Sequence, residues 1–230
     1  MRTVTLAFAA AALLSAGSAQ AANLIVVEAR AIALKPGTTI DSTKPLVLKQ
    51  GQHVTLISDT GATLSIDGPY NQPPSAGGSG RSIATTLAAL TTEHTARTSE
   101  GLVTRDDKPN KLPDPWLFDV TRNGSVCLLE GTQPVFWRPQ AKIDTSIVVM
   151  PVDRSWKSKA AWPAGRDRMT VTTDVPVHGG AAYVVNYAGS EYALSVATVP
   201  AGLANDQVRA AWMVQKGCEA QAEALLNLHK

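Results

Sequence analysis

Val54-Thr55-Leu56-Ile57-Ser58-Asp59-Thr60-Gly61-Ala62-Thr63-Leu64-Ser65-Ile66 is the stretch on which the fold turns. Val54, Leu56 and Ser58 alternate with His53, Thr55 and Ile57, and Ala62, Leu64 and Ile66 alternate with Thr63, Ser65 and Asp67. A period of two is that of a strand with one face buried. A three-residue loop at Asp59-Thr60-Gly61 pairs Ser58 with Ala62, Leu56 with Leu64 and Val54 with Ile66. These side chains then share one face, and Thr55 meets Ser65 on the other. Such a loop is a type I turn closed by a left-handed residue, the place where Gly61 stands. A two-residue loop sets Leu56 against Ser65 and spoils the pattern. The stretch reads as a β-hairpin.

Working outward, Leu24–Ala29 and Leu46–Leu48 also read as strands, separated by turns at Pro36-Gly37 and Gln50-Gly51. Residues 22–70 thus form a small β module. Residues 71–115 read as a linker. It opens with the Pro- and Gly-rich run 71–81 and holds a short helix after Ser82, with Ile83, Leu87 and Leu90 on one face. Residues 116–230 form a second β region. Its strands are expected at Ser125–Leu129, Val135–Trp137, Ser146–Met150, Met169–Thr173, Ala182–Tyr187 and Tyr192–Thr198. A loop of Ala188-Gly189-Ser190-Glu191 would set Tyr187 opposite Tyr192 and Val185 opposite Leu194. A helix follows from Asn205 to Leu228, capped by Asn205 or Asp206, with Gly217 as a possible break. Val208, Ala211, Cys218, Ala222 and Leu225 lie along one stripe of it. The fold class is mainly β: a small N-terminal β module plus a C-terminal β-sandwich-like domain closed by a C-terminal α-helix.

The 230 residues are 44% hydrophobic with net charge +2, enough for a core and too nearly neutral for a dedicated nucleic-acid binder. Residues 1–21 read as a signal peptide. Arg2 precedes the apolar run Val4–Leu14, and Ala19-Gln20-Ala21 has the form of a cleavage site. No later run reaches about 18 apolar residues, so the mature chain is expected not to span a membrane. The expected location is periplasmic or secreted. In that compartment Cys127 and Cys218 are expected to form a disulfide. His53, His94, His178 and His229 show no metal spacing. No metal site and no cofactor is implied.

Asp59-Thr60-Gly61, preceded by an apolar strand, resembles the active-site loop of retropepsin-like aspartic proteases. That resemblance implies Asp59 as the catalytic carboxylate, Thr60 as a brace for the loop and Gly61 as the point of close backbone approach. It also implies a homodimer, because the chemistry takes two carboxylates sharing one proton. The Pro/Gly linker then begins where the flap strands of that family should continue.

Leu46-Val47-Leu48-Lys49-Gln50-Gly51-Gln52-His53-Val54-Thr55-Leu56, with Gly61-Ala62-Thr63-Leu64-Ser65-Ile66-Asp67-Gly68, resembles the FecR-type periplasmic β module. The resemblance implies an exported module for protein–protein interaction, its partner an envelope protein. A third reading rests on the basic stretch Arg154, Lys157, Lys159, Arg166 and Arg168 around Trp156 and Trp162. Exposed Trp156 and Trp162 with Arg166 would suit cell-wall glycan or another anionic surface. The expected function is an exported, non-enzymatic binding or interaction module, with the homodimeric protease and the surface-binding protein as alternatives.

Overall fold

The structure is a computed structural model that describes residues 23–59, 61–74 and 111–228. The expected signal peptide, the helix after Ser82, Thr60, His94 and His229 lie outside the described residues. Within them the chain is mainly β, with strands in four sheets and helices near the C-terminus.

The N-terminal region comprises β1 (Asn23–Arg30), β2 (Thr39–Asp41), β3 (Leu46–Leu48), β4 (His53–Ser58), β5 (Thr63–Asp67) and β6 (Tyr70–Gln72). One antiparallel sheet runs β2-β1-β4-β5, and β3 pairs with β6 beside it. The central hairpin has the register that the alternation requires, with Val54 opposite Ile66 and Leu56 opposite Leu64. Gly61 has φ +81°, and its N–H donates to the Ser58 carbonyl at 2.9 Å. Val54, Leu56, Leu64 and Ile66 pack with Leu24, Val26, Leu46 and Leu48 in one core. Asn71 and Gln72 belong to β6, opposite Val47 and Leu46, and not to a linker. Polar side chains at a sheet edge face solvent there, so composition alone gave the wrong boundary.

The second region holds β7 (Leu117–Asp119), β8 (Gly124–Leu129), β9 (Val135–Trp137), β10 (Thr145–Pro151), β11 (Ser158–Trp162), β12 (Arg168–Thr170), β13 (Ala182–Tyr187) and β14 (Ser190–Val199). A five-stranded sheet, β11-β10-β13-β14-β8, faces a three-stranded one, β12-β9-β7. Phe118 and Phe136 of the small sheet meet Ile147, Val149, Tyr183, Val185, Leu194 and Val196 of the large one. The β13–β14 register differs from the expected one by two residues: Tyr187 pairs with Ser190, and Val185 with Tyr192. The loop is Ala188-Gly189 alone, with φ +50° and +82°. Two positive-φ residues match the right-handed twist of the flanking strands. A slip of two keeps the parity, so the buried face is unchanged.

The expected single C-terminal helix is two, α1 (Asp206–Gln215) and α2 (Glu219–Asn227). Asn205 caps α1 by accepting from the Val208 N–H at 2.9 Å. Gly217, at φ +78°, ends α1, and the Cys218 N–H reaches back to the Met213 carbonyl at 2.8 Å. The helix pair does more than close the sandwich. Ile25, Val27 and Ile57 of the N-terminal sheet, Cys127 and Val199 of the large sheet, and Val208, Ala211, Trp212, Cys218, Ala222 and Leu225 of the helix segment form one buried cluster. The two β regions are thus joined through a shared helical layer, and the second face of β4 is buried at Thr55 and Ile57. Cys127 and Cys218 form the disulfide, with Cα atoms 5.9 Å apart across a separation of 91 residues.

Candidate functional site: the open side of the sandwich

A sheet has two edges, and each presents backbone N–H and C=O groups that must find partners or water. In the large sheet these edges are β8 and β11. At the middle of the β8 edge one side chain caps the Cys127 backbone. Gln221 is buried, and its Oε1 accepts from the Cys127 N–H at 2.6 Å while its Nε2 donates to the Cys127 carbonyl at 2.9 Å. The same Nε2 also donates to the Pro115 carbonyl at 2.9 Å. The amide thus stands in for one residue of a neighbouring strand.

Among the described residues no such cover is found at β11. Among the described residues, no strand pairs with it beyond β10, and none of its residues takes part in a hydrogen bond outside that ladder. Ala160 and Lys159 are exposed. The β10–β11 register places Ile147 opposite Ala160 and Val149 opposite Ser158, so these four share the face that looks into the sandwich. Opposite them lie Phe136 of β9 and Met169 of β12, itself an edge strand. Together with Val171 and Val175 they enclose an apolar slot of about 90 Å³. One water needs only ~10–15 Å³ by this measure, so the slot admits a small aliphatic side chain.

Lys159 pairs with Val148 and projects from the other face of β11. Within residues 152–166, Arg154, Lys157, Lys159 and Arg166 face a single acidic residue, Asp153. All four cations are exposed, and among the described residues none has an ion-pair partner. Asp153, also exposed, is bonded within its own loop. The Ser155 N–H, donating at 3.0 Å, and then the Ser155 hydroxyl hold its carboxyl below the usual 3.8. Arg168 is engaged with Asp114 at 3.7 Å and Asp167 at 3.9 Å.

The expected aromatic surface does not exist as such. Trp162 is 0% exposed, at the sandwich-facing end of β11, and takes no part in a surface. It packs edge-on to Tyr187, and the Arg138 guanidinium lies 4.8 Å from its ring centroid. Arg138 is equally buried. It donates to the carbonyls of Arg166 at 3.0 Å, Ile143 at 3.2 Å and Pro163 at 2.7 Å, and so fixes the segment between β11 and β12. Trp156 is half-buried against Tyr183, and only Arg166 of the three is fully at the surface. Tryptophan in a lysine-rich stretch looks like a binding platform, but the period of β11 turns Trp162 inward.

Asp59 is exposed on the hairpin loop, and its carbonyl accepts from Asn205 Nδ2 at 3.3 Å. The loop is thereby tied to the start of α1, and Gly61 serves its turn. A nearby constellation was missed in the sequence. His53 Nδ1 lies 2.6 Å from Asp67 Oδ1, and His53 Nε2 lies 3.1 Å from Thr55 Oγ1. The order hydroxyl–imidazole–carboxylate is that of an activated nucleophile. Thr55, however, is 7% exposed on β4, a strand paired on both sides, so its hydroxyl is shut away from a substrate. The hairpin register already implied this contact, because pairing Val54 with Ile66 sets His53 against Asp67.

A second pocket, of about 110 Å³, lies beside Gln221 between Asp119, Arg122, Ser125 and Glu219. The Asp119 carboxylate there is occupied by the Thr121 N–H and hydroxyl, at 2.9 and 2.6 Å. Among the described residues no group of three or more His, Cys, Asp or Glu could hold a metal ion, and no helix is long and apolar enough to cross a membrane. Neither a family model nor a curated protein sequence matches this chain.

Proposed function

We propose that this chain is an exported, non-enzymatic protein-interaction module of the bacterial envelope, and that its partner docks on the open side of the sandwich. The observation that carries the reading is the unequal treatment of two edges of one sheet. The β8 edge is capped at Cys127 by the Gln221 amide, whereas among the described residues the β11 edge stands open over an apolar slot. An open edge over an apolar slot supplies main-chain hydrogen bonds for affinity and a pocket for selectivity, the elements of strand addition. Export is supported by the leader-like residues 1–21 and by the Cys127–Cys218 pair. The resemblance of residues 46–68 to FecR-type modules supports an interaction role in the same compartment.

The test is site-specific photo-cross-linking in exporting cells. A photoreactive residue replaces Ala161, exposed on β11, or Glu223, exposed on α2. A discrete adduct with one envelope protein from position 161, absent from position 223, is expected. Equal adducts from both positions, or none from 161, would overturn the reading.

A further inference from the structure

Resting on that reading, we infer that the segment docking on β11 is an extended strand that alternates apolar and acidic side chains. Strand parity sets the pattern. A strand added beside β11 shares its faces, because directly opposed residues project to the same side. On the inner side it continues the row of Ser158 and Ala160, over the slot formed by Ile147, Val149 and Met169. Those positions take small aliphatic residues. On the outer side it runs past Lys159 and Lys157, two residues apart and both exposed. Those positions take carboxylates.

Charge also selects against the simplest other occupant. A second copy of β11, paired antiparallel on itself, would bring Lys157 and Lys159 of the two chains together. Like charges directly opposed destabilise a strand pair. Edge lysines discourage self-association for this reason, and the same lysines favour an acidic strand. Arg154 and Arg166, also without ion-pair partners among the described residues, extend the positive field at the two ends of β11.

The probe is an end-blocked peptide, Val-Glu-Val-Glu-Val-Glu, titrated into the isotopically labelled, disulfide-intact mature chain and followed by amide NMR shifts. The matched Val-Lys peptide is the control. Saturable shifts confined to β11, β12 and the Val171–Val175 segment are expected for the acidic peptide, with at least tenfold weaker binding of the basic one. The double variant Lys157→Glu/Lys159→Glu lies at exposed positions, and it should reverse that preference. Equal binding of both peptides, or no shifts at millimolar acidic peptide, would overturn the inference. So would a concentration-dependent dimer of the unliganded chain formed through β11. Any of these results, alongside a surviving cross-link from position 161, would remove the acidic-strand chemistry and leave the interaction reading standing.

Discussion

At Cys127 the backbone N–H and carbonyl that face away from β14 both end on the Gln221 amide. Burying these groups without partners would cost roughly 1–3 kcal/mol each. Gln221→Met keeps the length and removes the amide, so a loss of about 3 kcal/mol in urea denaturation is expected, with no change in the peptide binding of β11. A loss under 1 kcal/mol would show that water or a backbone shift replaces the amide. Nothing in the sequence marked Gln221. It sits among alanines on a helix, and its partner lies 94 residues away. Asp153 offers a second check at this scale. Its carboxyl is lowered in the fold by the Ser155 N–H and then the Ser155 hydroxyl. The contribution of these bonds is therefore present above the unfolded value of 3.8 and is lost as pH falls through the lower folded value. The Ser155 amide shift should titrate with a midpoint below 3.8, and a midpoint at or above it would contradict the bond.

Hairpins with strong alternation were legible, and those with weak alternation were not. Val54 and Leu56 on one arm and Leu64 and Ile66 on the other stand at alternate places, which leaves one register that buries them all. Ser158-Lys159-Ala160-Ala161-Trp162 carries none until its last residue, and β11 was not visible in the sequence for that reason. Its missing apolar side chains are also what open the slot. The β13–β14 loop is two residues shorter than the sequence suggests because Ala at φ +50° is an unusual choice for the first turn position. Asn and Gly accept that conformation more readily. Ala188→Asn should therefore raise stability by about 0.5–1 kcal/mol. A lower melting temperature would contradict the two-residue loop.

The sequence suggested two β regions with a tether between them, and the structure adds what holds them together. Ile25, Val27 and Ile57 sit in the same cluster as Cys127, Val199 and the apolar stripe of the helices. Periodicity could identify that stripe, but not which sheets it would meet. Because the cluster spans both regions, unfolding of the described fold should be one transition. The Cys127→Ala/Cys218→Ala variant should lose about 4.5 kcal/mol, the chain-entropy value for a loop of this length, while still unfolding in one step. Two separated transitions in the parent protein would show that the β regions are independent. The candidate site was only partly legible. The basic stretch was visible as charge, but its meaning depends on β11 being an edge, which pairing in space decides.

Amide hydrogen exchange on the protein, alone and with the partner identified by cross-linking, reads the β11 edge residue by residue. Alternate amides of Ser158–Trp162 are expected to exchange fast in the free protein and to become protected in the complex, with α1 and α2 unchanged. Protection already present in the free protein, or gained only at the helices, would contradict docking at an open β11 edge.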